Sequence, residues 1–244
     1  MALHLEITVD YMAIPAEVAW EMLHASHAAL LTTSQQASLY GDVRSLGDMT
    51  HAIKKRGKPH FAVEFAGGEF DYIPVGNSHL GLVIVKNWVQ GFDDAWAWVN
   101  PFARLKEFRS ARVYDHEFEY WENASDPREY ISVGRSYVGL PMKSNGLPCP
   151  LKQMLIDTSA NPGRRVLRQG YVEAVGAVMW LGEQFWALTG ARKKDVLCAK
   201  WLKCEEMPHG VVRVQAADEP FTTSEGSAGE LQHRLRALLF PQSQ

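Results

Sequence analysis

Between positions 115 and 130 the chain reads DHEFEYWENASDPREY, where Asp115, Glu117, Glu119, Glu122, Asp126 and Glu129 stand against a single Arg128, a local balance of −5. Phe118, Tyr120, Trp121 and Tyr130 are interleaved with those acids. A second stretch sets Asp93 and Asp94 directly before Trp96 and Trp98. Carboxylates steer a basic partner toward a surface, and large rings anchor it once docked. Asp93, Asp94, Trp96, Trp98, Asp115, Glu117, Glu119, Glu122, Asp126 and Glu129 are therefore the candidate partner-binding residues. A strand over 115–121 with one face in the core and one in water would give the same alternation.

Covalent chemistry finds fewer candidates. Gly76 to Gly81 and Gly134 to Gly139 have the glycine spacing of a phosphate loop, but a leucine follows each pair where the lysine must stand. No G-x-G-x-x-G turn, no G-x-S-x-G elbow and no Glu-x-Lys or Asp-x-Lys of a metal-dependent nuclease occurs. His24 and His27 have the i, i+3 spacing of some metal sites but lack a third ligand, so neither metal nor cofactor is expected. His116, among Asp115, Glu117 and Glu119, is the one local acid–base candidate, yet neighbours on a strand point to opposite faces. The chain therefore reads as a binding protein and not an enzyme. A hydrolase, or a carbohydrate-binding protein with Trp96 and Trp98 side by side on an open face, is the alternative.

The elements that must position these residues are legible in outline. Leu3, Leu5, Ile7 and Val9 share one face of a strand, with His4, Glu6, Thr8 and Asp10 on the other. Pro15 and the apolar spacing after it predict a helix over 15–31, and a weaker one covers 44–55. Strands are expected at 80–85 and 111–121, a strand or short helix at 151–157, and a hairpin from 201–204 to 211–216. Ser227 and Glu230 make an S-x-x-E capping box ahead of a helix over 227–240, which Pro241 stops. PMKSNGLPCP at 141–150 is a loop and a candidate seam between two lobes, although both halves are expected to share one core. The fold class is α+β: a single domain with a mostly antiparallel sheet and helices packed on it.

Composition narrows the partner. The formal charge of −3 offers no general basic field for nucleic acid. Residues 1–140 carry 12 basic and 18 acidic side chains and residues 141–244 carry 13 and 10, so the acid sits in the first half. Three cysteines with no C-x-x-C spacing suit a reducing compartment. No apolar run approaches the roughly 18 residues of a membrane span, and the amino end lacks the basic flank of a signal peptide. The expected location is the cytoplasm, with a protein partner and neither nucleic acid nor membrane.

One region resembles a known family. Residues 161–168 (NPGRRVLR), 170–176 (GYVEAVG), 179–182 (MWLG) and Phe185-Trp186 resemble the immunity protein 52 family, bacterial antitoxins encoded beside polymorphic toxins and found in Pseudomonas type VI systems. The resemblance implies an α+β protein that binds and neutralises a cognate toxin with a restriction-endonuclease-like nuclease domain, a class commonly delivered by type VI secretion. It carries over no catalytic residue. Arg164, Arg165 and Glu173 within it read most simply as structural ion pairs.

Overall fold

A computed structural model describes residues 2–26, 36–65, 67–87 and 89–243. The elements, in chain order, are β1 (Leu3–Val9), α1 (Ala16–Ser26), β2 (Gln36–Leu39), β3 (Asp42–Ser45), α2 (Leu46–Arg56), β4 (Phe61–Phe65), β5 (Gly68–Val75), β6 (Leu80–Lys86), α3 (Phe92–Ala103), β7 (Phe108–Asp115), α4 (His116–Asn123) and α5 (Pro127–Ser132). There follow β8 (Met142–Ser144), β9 (Met154–Ile156), β10 (Val166–Arg168), β11 (Tyr171–Glu173), β12 (Val178–Leu181), α6 (Glu183–Thr189), α7 (Lys193–Leu197), β13 (Lys203–Glu206), β14 (Val212–Gln215) and α8 (Gly226–Leu239).

Ten strands form one antiparallel sheet in the order β13-β14-β12-β7-β1-β6-β5-β4-β2-β3. The apolar face of β1 behaves as its alternation requires: Leu5, Ile7 and Val9 are buried with Trp20, Phe61, Phe70, Trp98 and Phe102 under α1 to α3. On β12 the two faces serve two cores. Val178 and Trp180 join that first cluster, while Met179 and Leu181 join a second with Phe185, Val212, Leu235 and Leu239. Helices therefore cover opposite faces of the sheet at its two ends, and strands from both sides of 141–150 belong to it. Among the described residues no helix is long and apolar enough to cross a membrane.

The polar face of β1 is the first surprise. His4, Glu6 and Thr8 are as buried as the apolar residues, because residues 161–175 and α4 lie over them. A third small cluster marks the cover, where Leu82 and Ile84 of β6 pack against Val172 and Ala174.

Other differences have local causes. The strand over 111–121 ends at Asp115, whose carboxylate accepts the Phe118 N–H at 2.8 Å and starts α4. A short polar side chain at that position satisfies an orphan donor of the first turn, and the chain winds up. Helix α1 is described to Ser26, so the expected residues 27–31 lie outside the described residues. Segment 141–157 holds a short hairpin, Met142 opposite Ile156 and Ser144 opposite Met154.

Helix α8 begins at Gly226 with Glu225 as its cap residue and no side-chain capping bond, so Ser227 sits inside the first turn and the capping box is not formed. Ser227→Ala is accordingly expected to shift the urea midpoint by the equivalent of less than about 0.5 kcal/mol, the range of a surface change that breaks no feature. A loss above about 1 kcal/mol would restore the capping role.

Candidate functional site

Alternate residues of a strand share a face, so the register determines which polar side chains meet on the covered side of the sheet. His4 lies opposite Lys86 of β6 and Tyr114 of β7, and Glu6 lies opposite Ile84 and Arg112. One strand further out, Lys86 pairs with Glu69 and Ile84 with Asp71 on β5. A cleft of about 520 Å3 opens over this ladder. The sheet lines it with His4, Glu6, Asp71, Ile73, Lys86 and Tyr114, and α4 and α5 line it with His116, Tyr120, Asn123 and Glu129.

The ionisable groups of the cleft are tightly held. Glu6, 2% exposed, accepts from Arg112 Nε at 3.0 Å and from Arg165 Nε and Nη2 at 2.9 and 2.6 Å. Burial opposes the Glu6 charge, but the two guanidiniums outweigh it and keep the carboxyl below its ordinary range. Arg112 is gripped from its far side by both oxygens of Glu119 and lies 4.5 Å over the Tyr114 ring. His4 stacks on His116 with ring centroids 4.5 Å apart. Burial, with His116 and Lys86 nearby, pushes His4 down to about 4, so its imidazole is neutral at neutral pH. Asp71 and Glu69 share the Lys86 ammonium at 2.6 and 2.9 Å. Burial and the neighbouring Glu69 carboxylate outweigh that ammonium and raise Asp71 to about 6.

A second charged cluster explains the segment that carries the family resemblance. Glu173, fully buried, accepts from Arg236 Nη1 at 2.8 Å, Arg168 Nε at 2.8 Å and Arg164 Nη2 at 3.5 Å. Arg236 also donates to the Pro162 carbonyl at 3.1 and 3.2 Å and to the Arg164 carbonyl, fastening α8 to the Asn161-Pro162-Gly163 turn. Burial and the like charge of Arg164 bring Arg236 down to about 10. Gly163 is required at that turn: a Cβ would sit 2.7 Å from Glu122 Cγ, while its N–H donates to Glu122 Oε2 at 2.8 Å. Arg164, Arg165 and Glu173 are thus the internal clasp of the fold.

The candidate partner-binding residues separate by environment. Trp98 is core: 3% exposed, its ring centroid 5.1 Å from that of Phe70. Trp96 is half-buried at the edge of the same cluster, so the two rings do not form an open platform. Asp115 and Glu122 are buried and bonded to backbone N–H groups, and Glu119 is held by Arg112. Asp126 caps α5 and pairs with Arg128 at 2.6 Å. Asp93 pairs with Arg213 at 3.1 Å in the open. Asp94 and Glu117 are exposed, and Glu129 lines the cleft mouth. Helical spacing, not strand alternation, sorts 116–123: Trp121 and Glu122 turn inward while Glu117 and Tyr120 turn outward. His116 meets His4 across the cleft and not a carboxylate of its own segment. Among the described residues no group of three His, Cys, Asp or Glu side chains could hold a metal ion, and His27 lies outside them.

Beside α5 the surface changes character. Ile131, Val133, Val138, Leu140, Leu147 and Leu151 are all exposed, Val138 by 88%. Nothing in the local alternation marks these residues, because Ile131 lies in the short helix α5 and the others lie in turns and irregular segments without a regular period.

No protein-family model and no curated protein matches the chain, so the family resemblance of 161–186 rests on those residues alone. Among solved structures the chain is similar to the Pseudomonas aeruginosa T6SS protein PA0821, with 14% identity and a TM-score of 0.49, over 98% of this chain and 74% of that one.

Proposed function

We propose that this chain is an immunity protein, a cytosolic antitoxin that binds a cognate secreted nuclease toxin and blocks it by protein–protein contact. The observation that carries the reading is the exposed apolar band over 131–151. Large apolar side chains left in water this densely along one segment support the reading of a docking surface. Arg135 is drawn over the Trp121 ring at 4.5 Å, which ties the start of the band to α4. Glu117 and Glu129 stand on the helices that lead into it. A nuclease must offer a basic surface to phosphates, and an apolar band beside free carboxylates complements such a surface. The acidic part of the interface is narrower than the −5 balance of 115–130 suggests, because Glu119 and Asp126 are already paired with arginines. The resemblance of 161–186 to the immunity protein 52 family supplies the class of partner.

The test is co-expression with the nuclease toxin that this reading expects to be encoded beside the gene. Wild-type protein is expected to restore growth, and a Val138→Asp/Leu151→Asp variant with an unchanged melting temperature is expected to lose protection. Each aspartate puts an unpaired charge into the contact, and loss of two apolar anchors lowers affinity by about 2 kcal/mol or more. Full protection by the variant would remove the band from the interface. Absence of protection by the wild type would overturn the antitoxin reading.

A further inference from the structure

We infer that the cleft between the covered face of β5, β6, β1 and β7 and helices α4 and α5 receives a lysine or arginine side chain of the bound protein. The inference deepens the antitoxin reading and rests on its premise that the partner is a protein.

Charge supplies the first argument. The lining holds four carboxylates, Glu6, Asp71, Glu119 and Glu129, against two fixed cations, Lys86 and Arg165. Arg112, beneath the lining, and Arg165 satisfy Glu6 and Glu119. Lys86 is left to serve both Asp71 and Glu69, so the surplus falls on that pair inside the cleft and on Glu129 at its mouth.

Asp71 supplies the second, independent argument. The residue is 8% exposed, and its Oδ1 is buried with no donor reaching it among the described residues. Lys86 occupies the other oxygen and must also serve Glu69, so two carboxylates share one ammonium. A buried carboxylate oxygen with no donor carries a full desolvation penalty, which an entering N–H would relieve. At low pH a proton held between Asp71 and Glu69 does so; at neutral pH a cation takes that place. Burial keeps His4 neutral, so the imidazole stacked in the cleft does not repel it.

Shape supplies the third. The aliphatic stem of a lysine or arginine needs an apolar wall while its head reaches acceptors. Ile73, 43% exposed, and Tyr120, 44% exposed, flank the opening, with Ile84 and Tyr114 further in. A phosphate or carboxylate ligand is disfavoured by the same surplus of negative charge.

The experiment uses the full chain without any toxin. N-acetyl-arginine amide, N-acetyl-lysine amide and the neutral isostere N-acetyl-citrulline amide are titrated while amide NMR shifts are followed. Both cations are expected to give saturable shifts at Ile73, Ile84 and Tyr120, and citrulline none. Asp71→Asn is expected to weaken the cations about 10-fold or more, the value of a charge-assisted bond to a buried acceptor. Ile73→Trp, a change at the exposed mouth, fills the cleft without touching its ion pairs and is expected to abolish the shifts. Equal binding of citrulline, no saturable shift at these residues, or unchanged affinity in folded Asp71→Asn would overturn the inference. Because no toxin is present, failure here leaves the co-expression result standing. Binding here without cellular protection would refute the antitoxin reading alone.

Discussion

Glu173→Gln is expected to lower the unfolding free energy by about 3–5 kcal/mol, the cost of breaking a buried ion pair from one side. The carboxylate has no solvent exposure and meets three guanidiniums, those of Arg236, Arg168 and Arg164. Glutamine keeps the shape and one acceptor, so the loss isolates charge from volume. What remains is a cluster of like charges around a neutral amide, with Arg236 only 5% exposed. Urea denaturation reads the effect as a lower midpoint at unchanged slope. The contacts are unequal. Arg168 is 44% exposed at its side chain, so Arg168→Ala should cost only about 0–1 kcal/mol. A Glu173→Gln protein as stable as wild type would mean that the guanidiniums, and not the carboxylate, find other partners.

Trp98→Ala is expected to cost about 3–5 kcal/mol, the range for removing a large buried aromatic and leaving a cavity. Trp98 lies on the inner side of α3 among Phe70, Val99 and Phe102, and Ala95 one turn earlier completes the buried stripe. Trp96 is only half-buried at the edge of that cluster, so Trp96→Ala should cost less. Thermal or urea unfolding of each variant measures both. Equal losses at the two positions would show that α3 is rotated relative to this packing.

This contrast shows where the sequence is legible. A period of two was enough to place β1, and a 3.6-residue period with Pro15 placed α1, since each element buries one face against a neighbour. The same pattern failed at 116–121. Acid and aromatic residues alternate there, yet i, i+3 and i+4 spacing is also met, and the choice is made by the Asp115 cap at the end of β7. Helical α4 then buries Glu122 and exposes Tyr120, which changes what the acidic run can do. Of the cleft, the sequence puts His4 and Glu6 on one face and singles out His116, Glu119 and Glu129, but not the place where they meet. Lys86, Asp71 and Arg165 join them through strand register and a distant loop, and local periodicity carries no trace of either. The arginines of 164–168 looked structural in sequence, and the Glu173 clasp gives them that place.

The partnership of Glu6 and Arg165 spans 159 residues, and that interval is also a time. At about 5–20 residues per second a ribosome takes roughly 8–30 s between making the two. During that wait β1 can pair with β6 and then β7, since both are made earlier than the covering loop. The nascent sheet would then display His4, Glu6, Thr8 and Arg112 on a bare face. Glu6 and Arg112, with the polar His4 and Thr8, keep that face from being apolar throughout, although Leu82 and Ile84 of β6 share it. The polar row that ends up buried beneath the second half would then serve earlier as a temporary coat, worn until the rest of the chain has emerged.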